Sequence, residues 1–140
     1  MTSPLSIRFD AALLERLRRR AGLQDTTPSG LAQRLVDEGL RSQEHPGIVF
    51  RDGPSGRRAA LVAGPDVWEV ISAVRASGAK DEKRAIRLVA AEMTLSPAQV
   101  QLALEYYGSF PEEIDAQVAE NERAASEALG AWRARQRLLA

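Results

Sequence analysis

The sequence predicts a mainly α-helical protein with a few short strands: a strand–helix–helix unit, a small α+β unit of one β-hairpin and a helical bundle, and a C-terminal helix. Three observations lead there. Leu5, Ile7 and Phe9 alternate with Ser6 and Arg8, the period of a half-buried strand. Asp10, Thr27, Asp66, Asp81 and Ser96 each stand just before an apolar stripe at helical spacing, where a cap is expected. Proline and glycine gather in "SQEHPGI" and "DGPSG", which punctuate the chain.

Taken in order, the strand at Leu5–Phe9 runs without a loop into a first helix capped by Asp10. Leu13, Leu14, Leu17 and Ala21 form its stripe, Gly22 is its expected stop, and Arg16, Arg18, Arg19 and Arg20 lie on its solvated sides. Thr27 followed by Pro28 reads as a cap with proline at the first helical position, and Leu31, Leu35, Val36 and Leu40 make the stripe of a second helix. The boundary follows, so residues 1–43 form the first unit. Residues 44–110 then hold a hairpin of Ile48–Arg51 and Arg57–Val62 joined by "DGPSG", and helices capped by Asp66, Asp81 and Ser96. The last two of these are separated by the short turn "TLS", the layout of a helix-turn-helix. Residues 111–140 read as one helix whose stripe, Ile114, Val118, Ala125, Leu129 and Trp132, is too thin to make a core of its own and needs another surface.

Composition limits the function. The chain has 140 residues, 44% of them hydrophobic, enough for one ordinary domain or two small ones. It has no cysteine and one histidine, His45, which excludes disulfides and argues against a zinc site. No apolar run reaches the roughly 20 residues of a membrane span and the N-terminus lacks a secretory core, so a soluble, cytoplasmic protein without a membrane partner is expected. Net charge is zero, but its distribution is uneven. Residues 51–87 carry eight basic and five acidic side chains, residues 105–122 six acidic and no basic ones, and Arg133, Arg135 and Arg137 close the chain. Local patches of this kind, rather than the sum, steer association.

A lone terminal strand leaves its backbone groups unpaired and is not stable by itself. Pairing with the same strand of a second chain satisfies one edge and lets the helices of both chains bury their leucines, which predicts an intertwined homodimer, or a higher oligomer built from it. The resulting ribbon has an apolar face of Leu5, Ile7 and Phe9 and a polar face of Ser6 and Arg8. A two-stranded ribbon fits the DNA major groove, where arginine can reach guanine bidentately. The other reading is a strand added to an ordinary sheet, with the arginines on a solvated face.

"PLSIRFDAALLERLRRRAG" with "TTPSGLAQRLVDEGL" resembles a ribbon-helix-helix domain of the Arc, MetJ and CopG kind. The resemblance implies binding to double-stranded operator DNA, with Pro4, Ser6 and Arg8 at the base-reading positions and the backbone around Thr27, Pro28 and Ser29 holding a phosphate. Pro4 departs from the pattern because it offers no polar side chain. A phosphate at a helix N-terminus also has an independent cause in the free amides and the helix dipole.

Residues 44–119 carry a second resemblance. "HPGI", "GRRAAL", "DVWEV", "QVQLALEYY" and "PEEID", in that order, are similar to the DUF433 family, small helix-turn-helix-like domains found as antitoxins beside PIN-like ribonuclease toxins. This implies a type II antitoxin that represses its own operon and neutralises a cognate toxin. On that reading the tail binds the partner, Trp132 being an aromatic anchor and Arg133, Arg135 and Arg137 approaching the acidic metal site of the nuclease. The tail can alternatively pack back on its own dimer, and the chain can be a stand-alone ribbon-helix-helix regulator without a toxin.

The residues themselves leave the helix-turn-helix open between DNA contact and a packing or dimerisation role, since its second helix presents Gln99, Gln101 and Glu105 with little positive charge. The hairpin arginines Arg51, Arg57 and Arg58 make a better basic patch, although arginines in a hairpin more often form solvated surface. No enzyme, cofactor or metal is expected: "DGPSGRR" lacks the Lys-Ser/Thr of a phosphate-binding loop, and His45 has no partner for nucleophilic or metal chemistry.

Overall fold

The computed structural model describes residues 2–54 and 56–140. Six helices and one antiparallel hairpin are present among them, a mainly α fold. The chain separates into two compact units, Met1–Gln43 and Glu44–Ala140.

The first unit contains α1 (Ala11–Leu23) and α2 (Pro28–Glu44), the latter running one residue past its boundary. Asp10 caps α1 as expected, its Oδ1 accepting the Leu13 N–H at 2.8 Å. The helix does not stop at Gly22. It continues to Leu23, and Asp25 takes up the left-handed conformation (φ 51°) while the Thr26 N–H returns to the Ala21 carbonyl at 3.0 Å. Aspartate tolerates that conformation better than most residues with a Cβ, so it can stand where glycine was expected. Thr27 caps α2, its hydroxyl accepting the Gly30 N–H at 3.0 Å. The strand expected at Leu5–Phe9 is not formed in the single chain: residues 2–9 have no strand beside them among the described residues to supply ladder hydrogen bonds.

In the second unit, β1 (Ile48–Gly53) pairs with β2 (Gly56–Leu61) in the register Ile48↔Leu61 to Gly53↔Gly56. The expected turn includes Ser55, which lies outside the described residues. Gly47 precedes β1 at φ 103°, where a Cβ would come within 2.7 Å of Leu102, so glycine is required there on both counts. Four helices follow: α3 (Val67–Ser77), α4 (Glu82–Met93), α5 (Pro97–Ser109) and α6 (Pro111–Leu139). Helix α3 packs against β2 and the other three helices. The core gathers Ile48 and Leu61 from the hairpin, Val67, Val70 and Ile71 from α3, and Val89, Val100, Tyr106, Ile114 and Val118 from the helices around it.

Polar residues fix the hairpin to α3. Arg51 and Arg58 face each other across the ladder, a repulsive pairing by itself. Both turn to Asp66, at 3.2 and 3.5 Å, and Asp66 also accepts the Trp68 indole N–H at 3.1 Å. The same residue caps α3, its backbone N–H donating to Glu69 at 2.8 Å. Arg58 is buried, so its charge depends on that carboxylate. At the other end of α3, Arg75 bonds Asp115 of α6, and Tyr107 of α5 donates to the same carboxylate at 3.0 Å. Arg75 first, then Tyr107, holds the Asp115 carboxyl below its ordinary range.

Two outcomes follow from these contacts. Asp66→Asn retains a capping oxygen but removes the charge, leaving buried Arg58 unpaired, and is expected to cost about 3 kcal/mol, read by chemical denaturation with Trp68 as the reporter in a Trp132→Phe background. Asp115 has a folded pKa below its unfolded value of 3.8, so its stabilisation is complete above that value and is lost as pH falls through the lower one. Asp115→Asn should therefore flatten the acid side of the stability–pH curve, measured as denaturation midpoint against pH.

Candidate nucleic-acid interface

Although it is unpaired, the N-terminal arm is two-sided. Leu5, Ile7 and Phe9 line a groove of about 620 Å³ together with Leu14 and Leu17 of α1 and Ala32, Val36 and Leu40 of α2. The intervening Pro4, Ser6 and Arg8 are exposed and are not among the residues lining it. Alternation therefore sorts Leu5–Phe9 into an apolar side toward the helices and a polar side, Ser6 and Arg8, outside the groove, which Ser3 also lines.

That groove is open. Leu5 remains 81% exposed, Ile7 59%, Val36 56% and Leu40 52%, and Leu13, Leu23 and Leu35 are exposed as well. A second depression of about 340 Å³ lies between Leu13, Leu17 and Leu23 of α1 and Leu31 and Leu35 of α2, rimmed by Arg16, Arg19 and Arg20. Only Ala21 and Leu31 are fully buried among the described apolar residues of this unit, so the leucine stripes that shape its helices are mostly bare.

Thr27, Pro28 and Ser29 come together at the N-terminus of α2. Pro28 carries no N–H and the Gly30 N–H is taken by Thr27, which leaves the Ser29 N–H without a protein acceptor among the described residues. No acidic side chain stands in this first turn. Gly30 adds no side chain beside the Thr26 and Thr27 hydroxyls, which would lie 3.4 and 3.1 Å from a Cβ there. The end of the helix is thus small, electropositive and unobstructed, the arrangement that accepts an anionic oxygen.

The hairpin arginines are otherwise engaged: Arg51 and Arg58 serve Asp66, and Arg57 lies 3.4 Å from Asp52. They form a structural cluster rather than an open basic patch. His45 sets its ring edge-on to Tyr106 at 5.4 Å, and Tyr106 is wholly buried with its hydroxyl donating to Glu113 at 2.9 Å. Gln99 completes the capping box of α5 with Ser96, and Gln101 donates to Glu105, so these polar side chains bond locally. No group of His, Asp and Glu suited to a metal ion occurs among the described residues, and no helix among them is long and apolar enough to cross a membrane.

Helix α6 changes character along its length. Ile114 and Val118 are buried, and every residue from Glu122 to Ala140 is exposed. The outer part is about 25 Å of helix, bearing Leu129, Trp132 and Leu139 on one side with Trp132 50% exposed. Arg133, Arg135 and Arg137 stand among these residues without an acidic partner among the described residues, whereas Arg123 is held by Glu120 and Glu127. Arg123 and, to a smaller extent, burial act oppositely on Glu120, with the net effect of lowering its pKa.

Three exposed basic residues of α4, Lys83, Arg84 and Arg87, were not apparent from charge counted over long windows. Their spacing of one, three and four residues is the signal that places them on one face. Comparison with known protein families, with curated proteins and with solved structures finds no match to the chain.

The cap at α2 has a measurable weight. Thr27→Ala is expected to destabilise the first unit by about 1 kcal/mol, while Thr27→Ser should be close to neutral, both read by thermal unfolding followed by circular dichroism.

Proposed function

We propose that the chain is a dimeric DNA-binding antitoxin whose first unit is a ribbon-helix-helix domain and whose second unit is of the DUF433 type. The observation that carries the reading is the arm: its apolar side chains line an unfilled groove and its polar ones face away. A second copy of the arm, paired antiparallel, completes the strand and brings a second α1 and α2 to cover the bare leucines. Ser6 and Arg8 of both chains then lie on the outer face of the ribbon and enter the major groove, Arg8 reaching a guanine edge. Pro4 shapes the edge of that face without reading a base. The Ser29 N–H and the Thr27–Pro28 backbone hold a flanking phosphate and fix the register of the ribbon.

The outer part of α6 supplies the second activity. Its stripe repeats at Ala125, Leu129, Trp132 and Leu139, and Arg133 and Arg135 flank it. Against a second copy these arginines would add like charge along the seam, so a partner with acidic groups beside an apolar groove suits the stripe better. A PIN-like ribonuclease, with its cluster of acidic metal ligands, has that chemistry. Trp132 would anchor the contact while Arg133, Arg135 and Arg137 occupy the acidic site and block it.

Both parts can be tested on the full chain. Titrated against its own upstream DNA, the protein should prefer that fragment to a scrambled one, and Arg8→Ala should weaken specific binding at least tenfold, since two copies of a contact worth about 1–3 kcal/mol are lost. Unchanged affinity in Arg8→Ala would remove the ribbon from base reading. A small nuclease should co-purify with the wild type and be lost with Trp132→Ala. If none accompanies the wild type, the chain acts as a stand-alone regulator.

A further inference from the structure

The α4–turn–α5 pair divides its surface chemistry unequally. Helix α5 exposes Ala98, Gln101 and Glu105, a neutral to acidic face that suits neither phosphate nor the guanine edge. Helix α4 turns Ala85, Val89 and Ala90 into the core, with Ile86 and Met93 partly buried beside them. On its outer side, at about 100° per residue, Lys83, Arg84 and Arg87 fall within an arc of about 100°, and Glu82 and Glu92 fall outside it. Lys80, just before the Asp81 cap, is exposed too. None of the four basic residues has an ion pair among the described residues, in contrast to the hairpin arginines of the same unit.

Lys83 and Arg84 stand in the first turn of α4, where positive charge opposes the helix dipole; Asp81 and Glu82 at the same end answer the dipole, but neither forms an ion pair with this basic face among the described residues. Three unpaired cations on one face, in the first helix of a helix-turn-helix layout, match a polyanion whose charges repeat at short intervals along a line. In such layouts the first helix crosses the sugar–phosphate backbone and the second lies in the groove.

We infer that α4 is a second DNA contact: Lys83, Arg84 and Arg87 bind the phosphate backbone of duplex DNA without reading its sequence. The contact shares its ligand with the proposed ribbon but uses different residues, and it stands or falls separately. Phosphate contacts contribute affinity and salt dependence, whereas base contacts contribute preference.

The test uses the full-length protein and measures fluorescence anisotropy with a random-sequence duplex and with the upstream fragment, across a range of salt concentrations. The Lys83→Ala/Arg84→Ala/Arg87→Ala variant should weaken binding to both duplexes by the same factor. It should reduce the slope of log K against log salt by about 2.7 per protomer, three phosphates at 0.9 each. A charge-keeping variant, Lys83→Arg/Arg84→Lys/Arg87→Lys, should bind as the wild type does, because a backbone contact needs charge rather than a bidentate fork. Arg8→Ala should alter the preference between duplexes and leave the α4 share of the slope in place. If the ribbon fails and α4 holds, Arg8→Ala changes nothing while the triple alanine variant still lowers the slope. An unchanged slope in that variant overturns the inference. So does loss of binding in the charge-keeping variant, loss of nuclease capture in place of DNA binding, or absence of wild-type binding to any duplex.

Discussion

The first unit cannot enclose its own apolar side chains, and most of what is proposed for this protein depends on that constraint. Domains near 40 residues are held by disulfides, by a metal or by association with another chain. This unit spans Met1–Gln43, the sequence contains no cysteine, and no metal-binding group occurs among the described residues. On the proposed reading association with a second copy is the means, and the side chains it would cover are the ones that the helical period placed on one side: Leu13, Leu35, Val36 and Leu40, with the arm residues Leu5 and Ile7. The apolar pattern that makes two short helices also makes them incomplete.

The second unit follows the opposite logic. Its core is closed around α3, and its polar contacts serve architecture: Asp66 gathers two arginines that would otherwise repel across the hairpin, and Asp115 ties α6 to α3 and α5. Among the described residues it leaves two surfaces open that bear on function, the basic face of α4 and the outer half of α6. On the proposed reading these are the surfaces that meet a polyanion and an acidic partner, respectively. A closed scaffold carrying open charged faces holds those faces in fixed geometry, so little ordering cost is left for binding.

Most elements were legible because their signals are local. Asp10, Asp81 and Ser96 cap the helices expected of them, the hairpin forms where glycine and proline punctuate it, and the weak stripe of α6 corresponds to a helix that buries only Ile114 and Val118. Gly22 misled because a left-handed residue can be aspartate, and Asp25 supplied it. Arg58 misled for a longer-range reason: arginine in a strand reads as solvated, and only the fold brings Asp66 back to bury and neutralise it. The strand expected at Leu5–Phe9 does not form in the single chain, and the proposed pairing needs a second one. The basic face of α4 was written in the spacing of Lys83, Arg84 and Arg87, but counting charge over a wider stretch averaged it with Asp81 and Glu82.

The central claim is that the first unit is half of a shared core, and the concentration dependence of its unfolding tests this most directly. If the core is shared between two chains, sedimentation should give twice the monomer mass, and the denaturation midpoint should rise with protein concentration as mass action requires. Replacing Ile7 with aspartate, on the arm face that lines the groove, should abolish both effects while the second unit keeps its helical signal. A monomer that unfolds at a midpoint independent of concentration, with Ile7→Asp behaving as the wild type does, would contradict the claim.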